Sequence, residues 1–262
     1  MKTLLFIVDM QNDFCLPRGS LYVPGAEKDA ERLGRLIDRK KEEIDKIILT
    51  LDQHHVMDIA HPFYWRNAKG ENPKPFTAIS WWEVVSGEWI PFGDKAEVVE
   101  YLRQLKETGE YQHVIWPEHC IKGSEGAAVI PALFDAVIRW ARQGRYYGIV
   151  EKGLHPGTEF FGAFRANVPI ASAPETAFNV KLKEEFEQYD TIWLAGEAKT
   201  HCVANTLKQL FDFPEIVRKL VIIEDCMSDI PGCERLSVPI YGKAARLGAR
   251  FVKSDSILLD KD

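Results

Sequence analysis

What this sequence lacks narrows the field first. No apolar run approaches the ~18–20 residues that a membrane-spanning helix needs. The N-terminal MKTLLFIVDM carries one lysine and meets Asp9 too early to read as a secretory signal. Basic residues are not in excess: 33 Lys and Arg face 39 Asp and Glu, a formal net charge of -6. That leaves no electrostatic footprint for nucleic acid. There are five cysteines (15, 120, 202, 226 and 233), an odd number with no CxxC pair. Neither a disulfide framework nor a zinc ribbon fits them, and free thiols in the cytoplasm are expected. Repeats, low-complexity tracts and linkers are also missing. The 262 residues therefore read as a single domain, 1–262, of ordinary globular composition, with neither nucleic acid nor membrane as a partner.

What is present is a rhythm of short apolar runs and amphipathic stretches. Residues 3–8 form a continuous apolar run, as in a strand buried on both faces, and end in Asp9. Residues 26–41 place Ala30, Leu33, Leu36 and Ile37 on one helical side. Residues 46–51 make a second apolar run, ending in Asp52. The same reading gives helices over 94–108, 127–143, 176–187, 203–213 and 233–247. Further strands are read over 113–116, 147–150, 191–195, 220–224 and 250–252. β–α–β spacing of this kind implies a parallel sheet of about six strands between helical layers, an α/β fold. Residues 53–93 break the rhythm. Four prolines and four tryptophans (65, 81, 82, 89) mark them as a long, ordered aromatic loop serving as rim, lid or subunit contact.

Ligands of such sheets bind at the carboxyl ends of the strands. Asp9, Asp52, His119, Lys152 and Cys202 all fall there. Cys202 sits in GEAKTHCVANTL, where a strand turns into a helix, and the helix N-terminus is expected to favour its thiolate. An aspartate can take and return a thiol proton, and a lysine can stabilise the charges involved. Asp9, Lys152 and Cys202 thus form an acyl-transfer set without a catalytic histidine. His201 neighbours Cys202 in sequence but diverges from it on such a turn, so it is not assigned as a base. Asp52-x-His54 together with His119 offers ligands suited to zinc, iron or manganese. Gln11, Asn12 and Asp13 are read as braces of the loop after the first strand.

The motifs DMQNDF (9–14), LDQH (51–54), WPEHC (116–120), EKG (151–153) and GEAKTHCV (196–203), in this order, resemble the nicotinamidase branch of the isochorismatase-like cysteine hydrolases. The resemblance implies a three-layer α/β/α sandwich with a mainly parallel six-stranded sheet. It implies Cys202 as nucleophile, Asp9 as general acid/base and Lys152 as the catalytic lysine. It further implies a cis Glu197–Ala198 bond, with the Ala198 and Cys202 N–H groups as an oxyanion hole. One divalent metal is implied, zinc first with iron or manganese as alternatives. Asp52, His54 and His119 would be its ligands, and His61 a fourth whose spacing is one residue longer than the family's. Phe14 and Trp116 would sandwich a flat ring, with Phe161 near a position where the family has a pocket tyrosine. The activity implied is hydrolysis of nicotinamide to nicotinate and ammonia through a cysteine thioester, in NAD salvage, by a homo-oligomer. The alternatives are an amidohydrolase of another small amide or an N-carbamoyl or ureido compound, and an idle member used as an interaction protein.

Overall fold

A computed structural model describes residues 1–259. Strand β1 (Thr3–Val8) is buried along its whole length. The chain then crosses through helix α1 (Ala26–Arg39), whose buried face carries Ala30, Leu33, Leu36 and Ile37. Acidic residues in its first turn and Arg39 in its last complement the helix dipole. Strand β2 (Lys46–Asp52) pairs parallel to β1. After α2 (Trp81–Ser86), α3 (Lys95–Glu107) and α4 (Pro131–Ala141), β3 (Gly148–Lys152) adds to the far side of β2. Helix α5 (Val180–Glu187) leads to β4 (Thr191–Gly196), and α6 (Ala204–Gln209) to β5 (Leu220–Ile223). Helix α7 (Glu234–Leu247) and β6 (Arg250–Val252) complete the sheet.

All six strands are parallel, in the order β3-β2-β1-β4-β5-β6. The strand order reverses between β1 and β4, so the crevice at their carboxyl ends is the switch point where ligands bind. Register decides which residues meet there. Asp52 lies opposite Lys152, and Val8 opposite Gly196, so Asp9 and the segment after Gly196 emerge side by side. Gly196 has φ +133°, and a Cβ on it would sit 2.1 Å from the Val8 carbonyl oxygen. Only glycine lets the two backbones approach so closely.

Two apolar layers cover the sheet. On one face Leu5, Ile7 and Leu49 pack with α1 and α4 through Leu33, Leu36, Leu133 and Trp140. On the other, Leu4, Phe6 and Leu194 pack with Phe186, Val203 and Leu207. The three-layer arrangement matches the expectation. A third cluster was not foreseen. Ile59, Trp65, Ile79 and Val84 from the aromatic loop pack on Val98, Tyr101, Leu102 and Leu105 of α3. The loop holds a short antiparallel pair, Trp65–Arg66 with Ile90–Pro91, and α2, whose N-terminus carries a Ser80–Glu83 capping box.

Several boundaries are corrected. Residues 113–116 are not a strand: Val114 makes a single bridge to Ala78, and the segment lines the loop's own core. Four apolar-leaning residues fit a loop core as well as a sheet. Helix α3 consequently packs on the loop and is no sheet crossover. The helix read over 127–143 spans Pro131–Ala141, since proline favours the first helical position. The one read from 176 begins at Val180, capped by the Asn179 side chain. That read over 203–213 is a π-turn over Lys199–Val203 running into α6.

Candidate active site

Asp9, the first residue past β1, is fully buried with φ +45°, in the left-handed region that Asp tolerates better than most residues. Its N–H donates to Thr50 Oγ1 at 3.1 Å, and the Thr50 hydroxyl donates back to Asp9 Oδ1 at 2.5 Å. Lys152 ends β3 and is 1 % exposed. Its Nζ stands 2.8 Å from Asp9 Oδ2, 3.2 Å from Asp52 Oδ1 and 3.7 Å from Cys202 Sγ, and donates to the Phe160 carbonyl at 2.9 Å. Cys202 lies inside the π-turn after β4, buried, with its Sγ accepting from Lys152 Nζ. Residues nearly 200 positions apart thus share one small polar cluster.

Electrostatics follow from burial and charge. Burial opposes the charge on Lys152, but Asp52 and Asp9 outweigh it and hold the ammonium well above its ordinary pKa. Burial lifts Asp9, with Lys152 pulling only partly back, so its carboxylate is a stronger base than one in water. Burial also pushes the Cys202 thiol well up against the pull of Lys152. The helix-terminus field expected to favour thiolate is thus opposed by desolvation, which raises the thiol pKa.

A second cluster adjoins the first through Asp52. Ring nitrogens of His54, His61 and His119 lie within 4.8 Å of one another, all buried. Asp52 Oδ2 is 3.1 Å from His54 Nε2 and 3.8 Å from His119 Nε2. Each imidazole is held through Nδ1: His54 by Asp58 Oδ2 at 3.1 Å, His61 by the His55 carbonyl at 3.2 Å, and His119 by the Pro117 carbonyl at 2.8 Å. His61 Nε2 also faces His119 Nδ1 at 3.4 Å, so the three rings are held against one another by partners of the kind that orient metal-ligating histidines. Burial and the neighbouring histidines lower the His61 pKa to about 3, so it is a neutral donor. The donor set fits a divalent metal.

The pocket between the clusters is lined by Phe14, Trp116, Phe161, His201, Ala198 and Glu159, with Asp52, His119 and Cys202 at its floor. Phe14 stands edge-on to His119 at 5.4 Å. Trp116, Phe161 and His201 pack edge to face, at 6.4 and 5.4 Å from Trp116. The Glu197–Ala198 bond is cis, and the Ala198 N–H finds no protein acceptor among the described residues. The structure places Asp9, Lys152 and Cys202 beside Asp52, and Asp52 beside His54 and His119, with His61, Phe14, Trp116, Phe161 and Ala198 around them. The braces are there as well. Gln11 bonds both Asp52 backbone groups, at 2.8 and 2.7 Å, and Asp13 accepts from the Cys120 N–H at 2.7 Å, fixing the loop that carries His119.

Two residues escaped the sequence reading, and a third, His201, was set aside there only as a base. Asp58 orients His54. Glu159 is a buried carboxyl over the pocket, lifted by burial to about 8. His201 is a pocket wall whose pKa burial lowers to about 4, a neutral ring. Asp58 and Glu159 sit in irregular segments, where no periodicity reports which way a side chain points, and His201 lies in the short π-turn.

No family model matches the chain. Its curated relatives include the nicotinamidase of Saccharomyces cerevisiae, 26% identical over 206 residues that make up 79% of each chain. They also include the nicotinamidase of Escherichia coli, 23% identical over 237 residues, 89% of this chain and 84% of the relative. Yeast nicotinamidase bound to the inhibitor nicotinaldehyde superposes with a TM-score of 0.66 at 19% identity, covering 96% of this chain and 99% of that one. Pyrazinamidase of Pyrococcus horikoshii in complex with zinc gives 0.58 at 17%, covering 97% and 99%. An isochorismatase-like hydrolase from Alkaliphilus metalliredigens gives 0.54 at 15%, covering 98% of each. The fold is that of the isochorismatase-like hydrolases. The curated relatives named above are nicotinamidases, and the structural neighbours include nicotinamidases and pyrazinamidases.

Proposed function

We propose that this protein is a nicotinamidase, an amidohydrolase that converts nicotinamide to nicotinate and ammonia and so serves NAD salvage in the cytoplasm. The observation that carries the reading is the sharing of Asp52. One of its oxygens faces Lys152 of the Asp9–Lys152–Cys202 cluster, and the other faces the histidines. A pocket with a nucleophile at one end and a metal site at the other suits a flat ring bearing a carboxamide and a ligating nitrogen.

Asp9 takes the Cys202 proton as the sulfur attacks the carboxamide carbon. Lys152 stabilises both anions, which repays the burial of the thiolate. The N–H groups of Ala198 and Cys202 receive the tetrahedral oxygen. Asp9 returns its proton to the departing nitrogen, the C–N bond breaks, and ammonia leaves a thioester. Water enters, Asp9 takes one of its protons, and the hydroxyl adds to the thioester carbon. The C–S bond then breaks, releasing the acid and a thiolate that regains the proton from Asp9. Phe14, Trp116 and Phe161 hold the ring in plane. Asp52, His54, His119 and His61 would hold the divalent ion, zinc in the first instance. That ion would supply a Lewis-acid contact for the pyridine nitrogen, direct or through water.

The test is ammonia release from nicotinamide, pyrazinamide and a set of N-carbamoyl compounds, before and after chelation. Turnover of the two ring amides is expected. It should fall by at least about 10⁴-fold in Cys202→Ala with the fold retained. A chelated enzyme fully active on an N-carbamoyl compound would move the assignment to that branch.

A further inference from the structure

Beneath the Ala198 amide two carboxyl groups are buried against each other. Glu197 is 0 % and Asp29 1 % exposed, and Ser228 bridges them, its N–H donating to Glu197 and its hydroxyl to Asp29. Asp29, on α1, also receives the Arg32 guanidinium and the Ser228 hydroxyl. Arg32 in turn donates to the Asp225 carbonyl, and the Asp225 carboxylate accepts from Ser254 N–H and Oγ at 2.7 and 2.8 Å. Glu197 Oε2 accepts from the Ser228 N–H at 3.1 Å, while Glu197 Oε1 has no donor facing it among the described residues. Two carboxylates this deep cannot both be ionised. The donors divide them: Asp29 has a cation and a hydroxyl, and Glu197 has one amide and a bare oxygen.

We infer that Glu197 and Asp29 share one proton, carried by Glu197, and that this carboxylic acid–carboxylate pair is the positioning device that holds the Ala198 N–H toward the pocket. The inference rests on the proposed hydrolase reading of the pocket. Glu197 is the residue whose carbonyl is bonded to the Ala198 nitrogen, so anchoring its side chain to α1 anchors the amide. The Ser228 carbonyl completes the clamp by accepting from Lys199 N–H at 2.9 Å on the other side of Ala198. Burial and Asp29 both raise the Glu197 pKa far above the carboxylate range, in agreement with the geometry. The charged and titratable groups around the pair are Arg32 on α1, Asp229 after β5, Tyr241 on α7 and Cys15 behind. Apart from Arg32, none supplies a positive charge that would stabilise a second carboxylate.

Glu197→Gln keeps both the donor to Asp29 and the acceptor for Ser228, whereas Glu197→Ala removes them. Three measurements follow. Infrared difference spectra at neutral pH should show a carboxylic-acid C=O band in wild type that Glu197→Gln lacks. The Ala198 amide resonance of ¹⁵N-alanine-labelled protein should coincide in wild type and Glu197→Gln and move in Glu197→Ala. On nicotinamide, kcat should stay within about threefold in Glu197→Gln and fall at least about tenfold in Glu197→Ala, with KM changed less than about twofold. A missing band overturns the shared proton. An unmoved Ala198 resonance, or a Glu197→Ala kcat within threefold of wild type, overturns the positioning role. Wild-type protein that shows the band and the resonance shift but hydrolyses no nicotinamide refutes the substrate assignment and leaves the pair standing.

Discussion

At the scale of single residues the crevice depends on charges that are buried but paired. Lys152 is the shared cation of Asp9 and Asp52, so Lys152→Met removes it from two carboxylates at once. Breaking a buried pair in this way costs about 3–5 kcal/mol. A denaturation midpoint lowered accordingly is expected, with kcat on nicotinamide lower by about 10³-fold or more. Glu159 makes a prediction of opposite sign. Its carboxyl is ordinary when unfolded, near 4.5, and lifted by burial to about 8 when folded. The stability tied to its neutral form is complete below the unfolded value and is lost as pH rises through the folded one. Chelated wild type should therefore lose stability between about pH 5 and 8 faster than chelated Glu159→Gln. Parallel Tm curves for the two proteins would refute the buried neutral acid. Cys202, Asp9, Lys152, Asp52, His54 and His119 were all visible in the sequence because each follows an apolar run at its carboxyl end. Asp58 and Glu159 were not, because a loop carries no pattern that separates a buried carboxylate from a solvated one.

At the scale of elements, what matters is where strands stop. Parallel pairing of β1 with β4 sets Val8 against Gly196, and the chain can turn into the nucleophile segment only where no side chain intervenes. Gly196→Ala places a Cβ against the Val8 carbonyl and forces a backbone shift, in a conformation L-residues rarely adopt. Overpacking of this kind costs about 1–3 kcal/mol, with the φ strain added. Activity should fall more steeply than stability, because the displaced backbone carries Ala198 and Cys202. Thermal melts alongside ammonia release measure the split, and equal losses in both would count against it. The aromatic stretch shows where pattern reading stops short. Its tryptophans correctly signalled order, but its partner was hidden. Trp65 and Val84 find α3 and residue Ile115, which the apolar spacing alone had sent to the sheet.

At the scale of the whole molecule, distant segments meet at the proposed divalent site. Asp52 and His54 come from the end of β2, His61 from the aromatic stretch and His119 from the loop braced by Asp13. A ligand that binds only the folded chain stabilises it by about 2.7 kcal/mol at a hundredfold excess over Kd. Chelation is therefore expected to lower Tm by several degrees, and re-addition of zinc to restore it at one ion per chain. A chelated protein with an unchanged Tm would contradict an ion held between these segments. The same joining explains His61, whose spacing from His54 is one residue longer than the related pattern. A turn closed by the His61 N–H donating to the Asp58 carbonyl at 2.9 Å precedes the ring, which lies beside the other two.

From its sequence alone this protein's α/β alternation, the ends of its strands and the residues standing at those ends could be read. Those features are written in local apolar periodicity, and a strand end needs only its neighbours to be recognised. Only the tertiary structure decided which strands lie side by side, that Asp52 serves both clusters, that burial raises the thiol's pKa and that Ser228 ties Glu197 to Asp29. Each of these depends on contacts between residues far apart in sequence, and on how deeply those contacts shut water out.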